Sequence, residues 1–463
     1  MRSGSVLVVV ALAAACGERA ARSADGHPGE VVAAPRVDRA PAVHTGGPTL
    51  AVLGDGAAVA ARADPGGHLE GRDRLGHLFE AFARIDRGGT TERVRIAQFG
   101  DSHTASDLGV SVFRRELQAR FGDGGRGFVS VGKPWKGYAQ TGVHGSMTDG
   151  FEPVKVKFHA GAFEGLDGFY GLLGVGVAAS SGGERASTDV SDPTTRVELD
   201  CWRDSTSGSF DVFVDGTPVG RVATRGEPSQ SGFWAFGVTD APHQIEIRTL
   251  GDGDVRVFGM SLDRGQGGVV VDALGINGAQ VFTALRWNEA HFAEQLRHRA
   301  PDLVVLAYGT NEAVEPSLSD LAYERGVVDL LGRVTRATPG ASCLLLGPPD
   351  LARRAGGHET GADGWTTTAR VLEIVELQRR IAQAAGCAFY DQLAAMGGPG
   401  SIAAWAAEPE PRALRDRVHL SRAGYAQVAT SFADDLLRAY DQWRVEHGLS
   451  PANAPKTWGV AIR

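Results

Sequence analysis

RVRIAQFGDSHTASD, residues 93–107, places a strand-like run, Val94 to Phe99, directly ahead of Gly100-Asp101-Ser102-His103. A helical pattern begins just beyond it, near Asp107, with Phe113, Leu117 and Phe121 recurring every fourth residue and Gly122 closing it. A serine set between a strand and a helix is presented at the C-terminal edge of a sheet, where open α/β folds bind their ligands. In a chain with 63 glycines, however, Gly-Asp-Ser alone also reads as an ordinary strand-to-helix turn. The rest of the chain decides between the two.

Working outward, a helix is expected over Leu75 to Asp86, before the first strand. Beyond it, the strand–helix rhythm resumes only at Val269 to Ala273, Leu303 to Ala307, Cys343 to Leu346 and Cys387 to Tyr390, each followed by a helical segment. These segments begin near Gln280, Ser317, Thr367 and Ser421. Five βα units with short, continuously apolar strands predict a parallel sheet buried between two helical layers. The stretch from Phe128 to Gly268 breaks this rhythm. Arg196 to Cys201, SFDVFVDGTPVG with Asp215-Gly216 at its turn, His243 to Thr249 and Val255 to Leu262 all read as strands, which predicts an inserted β-sandwich.

Three further motifs fall at the same edge of the expected sheet: Gly275-Ile276-Asn277-Gly278, Gly309-Thr310-Asn311-Glu312 and Asp416-Arg417-Val418-His419. Together with Gly100 to His103, in this order, they resemble the four blocks of the SGNH, or GDSL, hydrolase superfamily. The resemblance spans about Arg93 to Phe128 and Val269 to Tyr440. It implies a three-layer α/β/α, flavodoxin-like fold with Ser102 as nucleophile and Asp416 and His419 completing a triad. A serine hydroxyl needs a neighbouring base, and the base needs a carboxylate to hold its tautomer. The resemblance also implies an oxyanion hole from the Ser102 amide, the Gly278 amide and the Asn311 side chain, since the tetrahedral intermediate requires fixed donors.

Each assignment has a plainer alternative. Asn311 can cap a turn, Asp416 and His419 can be an exposed pair ahead of a helix, and Gly275 rivals Gly278 as the backbone donor. Asp101 is expected to orient the loop, and His103 to pack in the loop or touch substrate rather than move a proton. There is no Gly-x-Ser-x-Gly elbow, HExxH, P-loop or strand-following GxGxxG. His291 and His298 read as a solvated helix pair, and no metal or other cofactor is expected.

Within the superfamily, GDSHTASD with LQARFGDGGRGF, and MGGPGSIAAW before DRVHLSRAGY, look like the periplasmic branch that includes peptidoglycan O-acetylesterases. That likeness implies removal of the 6-O-acetyl group of N-acetylmuramic acid through an acetyl-Ser102 intermediate, on an acetylated cell-wall glycan. It also implies a carbohydrate-module-like insertion. Trp202, Trp234 and Phe236 are either a sugar-stacking platform or sandwich core. An O-acetyltransferase with the same triad and an esterase for another acetylated polysaccharide stand as alternatives, while a non-catalytic wall-binding lipoprotein would need a lost triad residue.

The chain's ends and composition set its setting. Arg2, the apolar stretch Val6 to Ala15 and the Ala-Ala-Ala-Cys sequence ending at Cys16 have the form of a lipoprotein signal peptide, too short to span a bilayer. The expectation is an exported protein of the bacterial cell envelope, periplasmic or at the outer membrane, lipid-anchored through Cys16. With 43% hydrophobic and 22% charged residues the chain is globular, and its net charge of −8 with no basic cluster argues against a nucleic-acid partner. Cys201, Cys343 and Cys387 lack metal-ligand spacing. Cys343 and Cys387 fall on successive strands and read as two buried apolar side chains or as a disulfide. The expected organisation is a signal peptide (1–16), a flexible linker (17–71) with a short ordered piece near Leu50 to Leu53, a hydrolase core in two parts (72–149 and 266–445) around the insertion (150–265), and a tail (446–463).

Overall fold

Strands that are apolar on both faces are satisfied only between two covering layers, and this requirement shapes the catalytic half of the molecule. The computed structural model describes residues 67–88, 91–156, 167–354 and 364–449. Cys16, the signal sequence, the piece near Leu50 to Leu53 and most of the expected linker and tail lie outside the described residues.

In chain order, β1 (Leu69–Glu70), α1 (Gly76–Asp86), β2 (Arg93–Gly100), α2 (Ser102–Ala105) and α3 (Leu108–Phe121) come first. The strands β3 (Gly125–Val129), β4 (Val143–Met147), β5 (Glu152–Lys155), β6 (Val175–Ala179), β7 (Arg185–Arg203), β8 (Ser209–Val214), β9 (Thr217–Ala223), β10 (Gln230–Thr249) and β11 (Val255–Asp263) follow. Next are β12 (Gly268–Gly275), α4 (Val281–Ala284), α5 (Glu289–Arg299), β13 (Leu303–Ala307), α6 (Asp320–Ala337) and β14 (Ser342–Leu346). The chain closes with β15 (Ala352–Arg354), β16 (Trp365–Thr367), α7 (Ala369–Ala385), β17 (Ala388–Tyr390), α8 (Gln392–Ala395), α9 (Ser401–Ala406) and α10 (Arg422–Glu446).

The hydrolase sheet has the order β1-β17-β14-β13-β2-β12. All its pairings are parallel except that of β1 with β17. Its parallel strands therefore run second, first, third, fourth, fifth, which is the flavodoxin-like order expected. In that order the strand connections diverge between β2 and β13, and the crevice outside their carboxyl ends is where a ligand site forms. Each strand feeds two cores by simple alternation. Ala97 and Phe99 of β2, with Val304 and Leu306 of β13, face one helical layer; Ile96, Leu303 and Val305 face the other. β1 was not foreseen. Leu69 is buried and the His68 amide donates to Asp435 of α10, so residues assigned to the linker form the sheet's antiparallel edge.

Cys343 of β14 and Cys387, just before β17, are joined as a disulfide, so the reading as two separate apolar side chains is replaced. Cys201 is free and buried.

The second sheet is antiparallel and nine-stranded, and it takes in β3, which lies ahead of the expected start of the insertion at residue 150. β7 and β10 are long, 19 and 20 residues, and their pairing slips between Gly237 and His243. On one side of that slip β7 pairs with β4; on the other it pairs with β11. Both halves feed one apolar core containing Val190, Ile245, Leu199, Val257 and Met260. This is the folded-over arrangement expected of a sandwich. Buried charges tie this sheet to the first. Asp272 of β12 accepts from both Arg299 nitrogens (2.7 and 2.8 Å) and from the Phe128 amide (2.8 Å).

Candidate active site

Ser102 is the first residue of α2, reached by a turn with no room for side chains at Gly100 or at the facing Gly275. A Cβ on Gly100 would lie 2.3 Å from Thr104 Oγ1 and 2.7 Å from the Ala307 carbonyl oxygen; one on Gly275 would lie 2.1 Å from the Ala105 nitrogen. These two glycines let the β2 turn sit wedged between β12 and β13. Asp101 caps the turn, its Oδ1 accepting from the His103 amide at 2.9 Å. The Ser102 amide, at the start of a helix, has no intrahelical acceptor.

The loop before α10 brings the other two triad candidates to Ser102. Ser102 Oγ is 2.9 Å from His419 Nε2, and His419 Nδ1 is 2.8 Å from Asp416 Oδ2. The remaining Asp416 oxygen accepts from the Val418 and His419 amides, each at 3.0 Å. Burial acts to raise the Asp416 pKa, but the hydrogen bonds from the His419 ring and these two amides outweigh it and hold the carboxyl below its usual range. The carboxylate thus stays charged and fixes one ring orientation. A hydroxyl, imidazole and carboxylate joined in this sequence can activate serine for attack on an acyl carbon.

The expected oxyanion donors flank the same serine. Asn311 Nδ2 donates to the Ala279 carbonyl at 2.9 Å, which orients the amide and leaves its second hydrogen for another acceptor. Gly278 has φ +77 and open space where a Cβ would stand, whereas Gly275 is packed against α2. The geometry therefore favours Gly278 over Gly275 as the exposed backbone donor.

His103 is half-buried behind the turn. Its Nδ1 lies 2.9 Å from the Tyr425 hydroxyl, and its ring centroid is 5.3 Å from that of His419. Burial, and then the nearby His419, push its pKa down to about 3, so it is a neutral packing group beside the imidazole of His419. Burial also lifts Asp101 to about 6. Both residues border a cavity of about 50 Å³ lined further by Phe113, Tyr308 and Phe432.

Two supporting residues escaped the sequence reading. Glu312, fully buried, accepts from the Val281 amide at 2.7 Å and the Gly309 amide at 3.0 Å, clamping the Asn311 loop to the start of α4. Burial raises its pKa to about 7. Its only sequence signal is its place beside Asn311. Asp350, also fully buried, accepts from Thr367 Oγ1 at 2.7 Å and the Ile402 amide at 2.9 Å. It thereby anchors the MGGPGSIAAW segment and the β15–β16 hairpin next to the His419 loop.

Two readings change. His291 is not solvated: it is buried among Phe169, Trp202 and Phe258, accepts from the Gly171 amide at 3.1 Å, and is lowered to about 4 by burial. His298 stacks on Phe233 and meets Glu198 at 2.8 Å. Trp202, Trp234 and Phe236 do not form one platform. Trp202 pairs with Ser231, while Trp234 pairs with Leu199 and Phe236 with Val197, three and five positions back along β7, so the pleat puts Trp202 on the opposite face. Trp234 and Phe236 pack on the sandwich core, and Trp202 stacks on Phe169. Among the described residues no group of three His, Cys, Asp or Glu side chains could hold a metal ion.

The GDSL-like lipase/acylhydrolase family matches residues 235–427, which include Gly278, Asn311, Asp416 and His419 but not Ser102. No curated protein sequence matches the chain. A solved structure described as a peptidoglycan O-acetylesterase in action matches at 26% identity and a TM-score of 0.66, over 79% of this chain and 96% of that one. A family two carbohydrate esterase from Clostridium thermocellum, in complex with cellohexaose, aligns at 11% identity over 59% of this chain and 95% of its own, with a TM-score of 0.24. With the sheet order, the block positions and the serine–histidine–aspartate contacts, the family match and the peptidoglycan O-acetylesterase structure support a serine ester hydrolase of the SGNH, or GDSL, superfamily that resembles peptidoglycan O-acetylesterases.

Proposed function

We propose that the chain is an exported esterase that removes O-acetyl groups from a glycan, with peptidoglycan O-acetylated on N-acetylmuramic acid as its substrate. The observation that carries the reading is the bonded relay Ser102–His419–Asp416 at the sheet's divergence point. The likeness to a protein described as a peptidoglycan O-acetylesterase supports the choice of glycan.

In this reading Ser102 Oγ attacks the acetyl carbonyl as its proton passes to His419 Nε2. The resulting oxyanion is held by the Ser102 and Gly278 amides and Asn311 Nδ2. Collapse breaks the bond to the sugar oxygen, which takes the proton from His419 to become a hydroxyl, and leaves acetyl-Ser102. Water, deprotonated by His419, then attacks the ester carbonyl; the proton returns from His419 to Ser102 Oγ as the C–O bond breaks, and acetic acid leaves and ionises to acetate. Asp416 stays ionised throughout and stabilises the imidazolium.

Export is part of the proposal. It is supported by the N-terminal sequence ending at Cys16 and by the disulfide between Cys343 and Cys387, a bond that persists in oxidising compartments. Lipidation of Cys16 would place the enzyme in the membrane fraction, and Cys16→Ser would release it.

Acetate release from O-acetylated peptidoglycan, set beside acetylated xylan, tests the substrate. Faster release from peptidoglycan is expected. Release from xylan alone would overturn the glycan, and transfer of acetyl to a sugar acceptor in preference to water would favour the acetyltransferase alternative.

A further inference from the structure

The loop that carries Asp416 and His419 is packed against the β15–β16 hairpin, the Ala352 amide donating to the Arg417 carbonyl at 3.1 Å. Strand alternation puts Ala352, Arg354 and Trp365 on one face of this hairpin, since Arg354 pairs with Trp365 and Ala352 with Thr367. Ala352 is buried and Trp365 half-buried against the neighbouring core, so this face is turned toward the hydrolase. Two guanidiniums converge on the Trp365 ring: Arg417 at 4.7 Å from its centroid and Arg354 at 5.6 Å. Arg417 is further held by an Nη1 bond to the Arg415 carbonyl at 2.8 Å, and its buried Nε has no partner among the described residues.

Among the described residues, the acids nearby do not neutralise this pair. On the same loop Glu408 binds Arg412, and Asp416 binds His419; beneath the hairpin Asp350 is occupied by Thr367 and Ile402. Glu410 is the remaining acid of that loop, and no ion pair joins it to Arg354 or Arg417. Arg354 and Arg415 are exposed. Arg417 stands two residues along the chain from His419, and with Arg354 it gives this indole two cationic neighbours that together attract an anion. The guanidinium fork matches the planar geometry of a carboxylate.

The geometry points to a second recognition element for this active site: Arg354, Trp365 and Arg417 form a rim that binds a carboxylate on the glycan being deacetylated. The inference rests on the deacetylation reading above and narrows its substrate class, from O-acetylated peptidoglycan in general to strands whose muramic acid keeps a free lactyl carboxylate close to the ester rather than one tied up as an amide to a stem peptide. A neutral acetylated glycan would gain nothing from this rim.

The test does not need the glycan to be a substrate. Hydrolysis of 4-nitrophenyl acetate by the purified enzyme is inhibited with N-acetylmuramic acid, whose lactyl group carries a carboxylate, and with the same sugar in which that carboxylate is an amide. The acid should have a Ki lower by roughly three- to tenfold, the range for one or two partly exposed ion pairs. Added salt should narrow the gap. Arg354→Gln should remove much of it, and Arg354→Gln with Arg417→Gln should bring the two Ki values together. Because acid and amide are compared within each variant, a general loss of activity cancels. Equal inhibition by acid and amide in the wild type, inhibition by neither, or a gap that survives the double substitution would overturn the rim. If the preference holds but O-acetylated peptidoglycan yields no acetate, the deacetylation reading fails and the rim stands.

Discussion

The hydrolase sheet buries a core on each of its faces, the antiparallel sheet a single smaller one between its folded-over halves, and the two are used differently. The hydrolase sheet is short-stranded, parallel and covered on both faces, and it delivers Ser102, Gly278 and Asn311 to one edge through the turns after β2, β12 and β13. The antiparallel sheet is built from long strands that fold over on themselves, and it carries none of the triad candidates. It meets the first sheet through buried charges, Arg299 of α5 lying between Asp272 of β12 and Asp263 of β11, and Arg126 of β3 pairing with Asp107 ahead of α3, rather than through apolar packing alone. One region therefore holds the chemistry and the other frames it, so damage to each should register in a different measurement.

The largest effect should come from Asp416→Asn, which leaves the sheets untouched but takes away the charge that orients His419. Turnover of a small acetyl ester should fall about 10⁴-fold with an unchanged melting temperature. Near-normal turnover would mean that the relay is not the chemical centre. The junction gives the opposite signature. Arg299→Met leaves Asp272 without its buried guanidinium partner and Asp263 without its neighbour at 3.6 Å, and should cost about 3–5 kcal/mol in denaturant unfolding. The molecules that stay folded should keep their turnover. A loss of turnover with full stability would show that the frame takes part in the chemistry.

Asn311→Ala should lower kcat about 10²–10³-fold with a smaller change in KM, because the donor is needed mainly when the oxyanion forms. A change in KM alone would assign Asn311 to ground-state binding instead.

These contrasts also explain what could be read from the sequence. Continuously apolar strands with punctuating glycines are a local signal, so the parallel sheet and the turns bearing Ser102, Asn311 and His419 were legible before any coordinates. β1 is two residues long and is defined by Tyr390 and Asp435, far along the chain. The burial of His291 depends on Trp202 and Phe258 from the other sheet and on Phe169 from the segment before β6. The disulfide depends on two strands being neighbours, and the sequence equally allowed two separate thiols. Glu312 and Asp350 are legible as acids but not as clamps, since their partners are backbone amides that only the fold brings to them. Trp365 and Arg417 meet only because the hairpin and the His419 loop pack together.

The smallest expected effect is a pH dependence within the hydrolase half. Burial raises Glu312 from the ordinary value of 4.5 to about 7, so between these limits the folded state holds a proton that the unfolded state releases. Stability should fall as pH rises through that window, by an amount on the order of 3 kcal/mol, and level off above it. Glu312→Gln should flatten this part of the stability profile while loosening the Asn311 loop, since an amide cannot accept from both Val281 and Gly309. An unchanged slope would mean that Glu312 is not buried in the solution state.

The central claim is that Ser102 carries the acetyl group between glycan and water, and trapping that intermediate tests it most directly. Wild-type enzyme quenched in acid during turnover of an activated acetyl ester should yield a peptide acetylated at Ser102 by mass spectrometry. Ser102→Ala should show no acetylated peptide and release no acetate from O-acetylated peptidoglycan. Acetate release by Ser102→Ala at the wild-type rate would contradict the account.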